Sequence, residues 1–194
     1  MAPARSGVRA ARHDVLRAPR SAFTVGHGTL AAPDFLALVH GAGIEAIADV
    51  RTAPGSRHNP QFGRKEMAEW LNAAGMTYTH YKELGGWRRA REDSPNVALR
   101  NAAFRGYADY MLMPEFSRAV DVLVPQLETK PTALMCSESV WWRCHRRLLA
   151  DYLVLVRGWE ILDLMHDGRA EPHVLTPGVR SAGDRLYYDA LATT

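Results

Sequence analysis

The densest chemistry in this 194-residue sequence is the run Cys136-Ser137-Glu138 through Trp141-Trp142-Arg143 to Cys144-His145-Arg146. A thiol followed closely by an imidazole can form a nucleophile and its base, because a helix N-terminus and a nearby histidine both favour the thiolate. Cys136, Glu138, Cys144 and His145 are also metal-ligating types, although neighbours 144 and 145 on a helix would project about 100° apart. A third reading is architectural, with both cysteines as small buried hydrophobes and Glu138 bonded to backbone or arginine. The Cys-x5-Arg loop of cysteine phosphatases is missed by one residue, since Arg143 follows Cys136 at x6.

Two shorter clusters could join this segment. Gly26-His27-Gly28 combines an acid–base side chain with glycines that let backbone approach a ligand closely. The dinucleotide pattern Gly-x-Gly-x-x-Gly fails at Ala31, so a dinucleotide is disfavoured and no cofactor is expected. Asp49 and Arg51 alternate around Val50, which on a strand gives both side chains one face. They read either as an ion pair or as a carboxylate base beside an anion-binding guanidinium. Arg57, Arg64, Lys65, Arg88, Arg89 and Arg91 fall in nearby loops, interleaved with Phe62, Tyr81 and Trp87. Guanidinium and aromatic planes together suit a phosphate and a nucleobase, the alternative being core or rim packing.

The elements that must position these groups follow from periodicity. Strands are expected at 22–26, 44–50, 76–81, 132–136 and 160–165, with a last short one near His173. Helices are expected from Pro33 to Gly41 or Gly43, over 66–74, 104–113, 115–128 and 143–156, with loops over 51–63 and 84–102. This alternation gives an α/β fold: a mainly parallel sheet with helices on both faces, Rossmann-like and three-layered, in a single domain. In such sheets ligands bind beyond the carboxyl ends of the strands, and all three clusters fall at strand ends. His145 would sit in the first turn of the 143–156 helix, near Cys136.

Composition bounds the rest. The chain is 47% hydrophobic and 23% charged, with no apolar run long enough for a membrane span and no secretory block, so it reads as cytoplasmic. Its net charge is +3, but residues 1–21 hold five arginines against Asp14, about +4, which leaves the remainder near −1. The expected organisation is a flexible arginine-rich arm over 1–21, a domain over 22–180 and a tail over 181–194.

Taken in order, Thr24-Val25-Gly26-His27, Asp49-Val50-Arg51, Pro54 to Phe62, Tyr78 to Tyr81, Leu84-Gly85-Gly86, Phe104 to Met111, Cys136-Ser137-Glu138 and Cys144-His145-Arg146 resemble the bacterial family named for domain of unknown function 488. Gly28 departs from the serine that commonly follows the histidine. The resemblance implies compact proteins with a polar pocket, sometimes associated with nucleic-acid or repair roles.

The expectation is therefore an enzyme acting on nucleic acid or a nucleotide-like anion by hydrolysis, including removal of a base from DNA. Asp49, Glu138, His27, His145 and Cys136 are the expected catalytic groups. Gly26, Gly28, Arg51, Arg57, Phe62, Tyr81, Gly85, Gly86, Trp87, Arg88, Trp141 and Arg146 are the expected substrate contacts. The alternative is a non-catalytic metal- or thiol-dependent binding protein using Cys136, Cys144 and His145.

Overall fold

The structure, a computed structural model, describes residues 20–55 and 57–190, so the expected arm lies outside the described residues except for Arg20 and Ser21. The chain runs β1 (Ser21–Gly26), α1 (Ala32–Gly41), β2 (Ala46–Asp49), α2 (Arg64–Ala73), β3 (Thr77–His80), α3 (Ala102–Met111), α4 (Pro114–Thr129) and β4 (Thr132–Cys136). It continues through α5 (Arg146–Leu155), β5 (Glu160–Leu164), β6 (Ala170–Pro172), β7 (Val179–Ala182) and β8 (Arg185–Tyr188), with 3₁₀ turns at Pro60–Phe62, Lys82–Leu84 and Trp141–Arg143.

The six-stranded sheet has the order β3-β2-β4-β1-β5-β6 and is parallel except for β6, which pairs antiparallel with β5. The steps from β1 to β2 and β2 to β3 move toward one edge and carry α1 and α2. The steps from β3 to β4 and β4 to β5 move the other way and carry α3, α4 and α5. A constant crossover hand then requires the two helix groups to lie on opposite faces. The cores agree: Phe35, Val39, Met67 and Leu71 pack with Val25, Ile47, Ala133 and Met135 on one face. Tyr107, Phe116, Leu149 and Leu153 pack with Ala48, Val50, Leu134 and Cys136 on the other. The strand pleat does the sorting, since residues 133 and 135 serve one layer and 134 and 136 the other.

β1 and β4 are neighbours whose following helices, α1 and α5, lie on opposite faces. The crevice between their carboxyl ends is the topological switch point of the sheet.

Three local expectations change. The strand near His173 is β6, three residues earlier, and Val174 and Leu175 are exposed. The segment read as a tail is, over Val179–Tyr188, a hairpin turning at Gly183, where φ is 64°. Its alternation buries Leu186 and Tyr188 completely, so folded structure continues past residue 180. α5 begins at Arg146 rather than 143, because the 3₁₀ turn and an extended Cys144 precede it. Among the described residues no helix is long and apolar enough to cross a membrane.

A buried polar knot ties the C-terminal elements to the sheet. His173 Nδ1 lies 2.8 Å from Asp163 Oδ2 and its Nε2 3.1 Å from Asp151 Oδ1. Asp151 also accepts the Thr176 N–H and the Tyr188 hydroxyl. A second knot holds the loop before α3: Asp109 accepts from Ser94, Asn96 and the Arg91 N–H, and the Asn96 amide oxygen accepts the Tyr188 N–H.

Candidate functional site

Backbone bonding carries the sheet register beyond the strands. The His27 and Gly28 N–H groups donate to Cys136 and Ser137 carbonyls at 3.0 and 2.9 Å, and the Val50 N–H to Met135 at 3.0 Å. The loops after β1, β2 and β4 therefore leave the sheet side by side. The 137–140 loop then folds across Gly26, where an added Cβ would stand 1.9 Å from the Glu138 carbonyl oxygen. From the other side the buried Arg146 guanidinium donates to the carbonyls of Glu138 and Ser139.

Asp49 and Arg51 do share a face, and they satisfy each other. Arg51 Nε and Nη2 donate to the two carboxylate oxygens at 2.9 and 2.6 Å, its backbone N–H adds a third bond at 3.0 Å, and Tyr78 donates a fourth at 2.6 Å. With no exposed surface and its acceptor positions filled, Asp49 orients Arg51 and is not placed to activate water. Arg51 Nη1 is left 3.2 Å from His27 Nε2. Burial and the Arg51 charge push the His27 imidazole down to about 4, so it is neutral at pH 7. Its Nδ1–H donates to the Gly28 carbonyl at 2.8 Å and Nε2 accepts from Arg51, while the ring stacks on Phe62 at 4.1 Å. His27 thus forms part of the wall with both nitrogens engaged.

On the other face of the sheet lie the thiols, both free and buried. The neighbouring Cys144 thiol, the His145 imidazole and the Arg146 guanidinium together hold Cys136 well below the usual thiol range despite burial. The neighbouring Cys136 sulfur and burial push Cys144 well above it. The two sulfurs and His145 Nδ1 all lie within 4.8 Å of one another. The objection that 144 and 145 diverge on a helix does not apply, because Cys144 precedes the helix with φ −124° and ψ 149°. His145 Nε2 donates to the Val50 carbonyl at 3.0 Å, bridging the β2 loop to this cluster. Gly86 makes room for that ring, since a Cβ there would sit 2.5 Å from Nδ1.

These walls enclose a cavity of about 730 Å³ at the switch point, large enough for a nucleotide-sized ligand. Of the expected residues it gathers His27, Gly28, Arg51, Gly86, Trp87, Cys136, Glu138 and His145. Thr52, Phe104, Ser137, Ser139, Arg143, Cys144 and His166 also face it. The Glu138 carboxylate meets neither a cation nor a hydrogen-bond donor among the described residues. Trp87 lines the cavity and is 77% exposed.

The other expected residues stand elsewhere. Tyr81 lies over α4, its hydroxyl on Gln126, and lines a separate cavity of about 290 Å³. Arg88 stacks over the Tyr110 ring at 3.8 Å and donates to the Glu83 carbonyl. Trp141 packs against Trp142 and His173. Phe62 is core behind His27, Asp49 and Arg146 lie behind the walls, and Gly26 and Gly85 serve close packing of the 138–139 loop and Thr52. Arg57 is exposed on the loop after β2, outside the cavity wall. His166 is the principal residue that sequence reasoning missed. Its Nε2 donates to the Gly26 carbonyl at 2.7 Å, and it follows β5, so the strand-end rule applied to that fourth strand points to it.

No curated protein and no solved structure matches the chain. A family profile covers the elements from α1 to α5 that build most of this cavity, leaving the His27 turn and the C-terminal hairpin outside it. Because that profile, described as domain of unknown function DUF488, matches residues 31–153, well over half of the sequence, the chain belongs to this family.

Proposed function

We propose that the cavity is the active site of a hydrolase acting on nucleic acid or a nucleotide-like anion, and that the reaction removes a base by cleaving its N-glycosidic bond. The observation that carries this reading is the unpaired Glu138 carboxylate sharing one cavity with the Arg143 guanidinium and the Trp87 and Phe104 rings. Arg143, aided by the remaining N–H of Arg51, meets a phosphate, and the aromatic planes take a base. Glu138 accepts a proton from water as the water oxygen bonds to the sugar C1′. The C1′–N bond breaks, its electron pair leaves with the base, and the proton passes from Glu138 to the base nitrogen. Asp49, behind this surface, and His27, within the wall, act by fixing Arg51.

The alternative, a non-catalytic metal- or thiol-dependent binding protein, is supported by the Cys136, Cys144 and His145 cluster alone and leaves Glu138, Arg143 and Trp87 without a role.

The test is release of free base, followed by chromatography, from nucleosides, nucleotides and oligonucleotides carrying plain, deaminated or alkylated bases. Turnover that falls about 10²–10⁴-fold in Glu138→Gln, with binding that weakens as salt rises, is the expected result. No release from any substrate, together with no binding at low salt, rejects the reading.

A further inference from the structure

The chain leaves β4 with one thiol and, after crossing Gly26 and the 3₁₀ turn, returns a second thiol and an imidazole to the same spot. His145 Nδ1 is 3.9 Å from the Cys136 sulfur and 3.6 Å from the Cys144 sulfur. A tetrahedral zinc ion, with Zn–S of about 2.3 Å and Zn–N of about 2.0 Å, holds such sulfur and nitrogen ligands about 3.5 Å apart. The two sulfur–nitrogen distances therefore need to close by only a few tenths of an ångström, and the two sulfurs, which lie within 4.8 Å of each other, by up to about 1 Å to reach the roughly 3.8 Å between two zinc-bound thiolates. The imidazole is already oriented for it: Nε2 carries the hydrogen, donated to the Val50 carbonyl at 3.0 Å, which leaves the Nδ1 lone pair facing the sulfurs. Backbone acceptors of this kind are the usual outer partners of metal-bound histidines.

We propose that Cys136, Cys144 and His145 bind one thiophilic divalent cation of the zinc class, with a fourth position open to the cavity that carries Glu138. Two thiolates balance the dication, so a site whose cysteines are 7% and 4% exposed gains no net charge when filled. Binding releases the thiol protons, at most two per ion. Magnesium and calcium, which take oxygen ligands, do not suit this donor set. Three protein ligands and an open position are the pattern of a reactive centre rather than a closed structural one, and a water there would be acidified beside the carboxylate. The site stands whatever substrate the cavity takes.

The full-length protein, purified without chelator, is assayed for metal by mass spectrometry. Chelator-stripped, thiol-reduced protein is then titrated with Co²⁺, following thiolate-to-cobalt charge-transfer absorption and its displacement by Zn²⁺. One ion per chain and a thiolate band support the site. Cys144→Ser and His145→Gln, each checked for native circular dichroism, should weaken Co²⁺ binding by at least the roughly 100-fold produced by loss of an outer partner. Less than about a tenth of an ion per chain with no thiolate band overturns the proposal. So does an unchanged band in either variant, or recovery of Cys136 and Cys144 as a metal-free disulfide. These readouts do not involve base release, so the metal site and the hydrolytic reading can fail separately.

Discussion

Raising the pH should unfasten the C-terminal elements from α5, because His173 bridges the carboxylates of Asp151 and Asp163 with no side-chain surface exposed. Burial lowers the affinity of its imidazole for a proton, but the hydrogen bonds and charges of the two aspartates outweigh that and raise it to about 9. In the unfolded chain the group titrates near the ordinary value of about 6.5. Between those limits the native state keeps a proton that the unfolded state has released, so the contribution is fully present below pH 6.5 and lost as pH rises through 9. Linkage for one such proton gives about 3 kcal/mol at pH 6, about 2 kcal/mol at pH 7.5 and nearly nothing at pH 9.5. The assay pairs an NMR titration of the His173 ring in the folded protein with urea unfolding of wild type and His173→Gln at those three pH values. Wild type should lose an advantage over the variant as pH rises. A ring midpoint at or below 6.5, or parallel pH profiles for the two proteins, would refute the reasoning. His27 imposes the opposite slope on the acid side: its folded value of about 4 means that the unfolded chain binds the proton first, so stability falls as pH drops from 6.5 toward 4.

Other perturbations have similarly direct readings. Gly26→Ala places a Cβ against fixed backbone of the 138–139 loop rather than a movable side chain, and should cost about 1–3 kcal/mol in urea unfolding while displacing Glu138; a change under about 0.5 kcal/mol would show that the loop does not cross there. Asp49→Ala leaves the buried Arg51 guanidinium without its bidentate partner and should cost about 3–5 kcal/mol by the same measurement, whereas a near-neutral substitution would contradict the pairing.

Much of this architecture is legible because strands and strand ends obey simple rules. The alternation that puts Asp49 and Arg51 on one face is visible in sequence, as is the fall of three polar clusters at parallel strand ends. What the letters do not show is how far a neighbour has already used a side chain. Arg51, Arg88, Arg91 and Arg146 look alike as candidate anion contacts. One is held by Asp49, one lies over Tyr110, one pairs with Asp93 and one clamps the 138–139 carbonyls, which leaves Arg143 as the cavity's exposed guanidinium. Tyr81 is misplaced for another reason: it follows the sheet's edge strand, β3, and its ring lies on α4, away from the switch point. The approach of Cys144 to His145 escapes helical reasoning because it depends on where α5 starts, and a shift of three residues turns divergent neighbours into convergent ones.

The β7–β8 hairpin makes the crevice depend on residues remote from it in sequence. Tyr188 holds Asn96 and bonds Asp151, so the segment carrying Gly86 and Trp87 toward α3 is braced by a hairpin whose contact residue lies 92 positions downstream of Asn96. Removing that hairpin would take two fully buried side chains, Leu186 and Tyr188, out of the core and leave the wall of the crevice without its buttress. A chain cut between β6 and β7 should therefore lose the shape of that wall first, and a single nick far from the crevice in sequence should change what the crevice can hold.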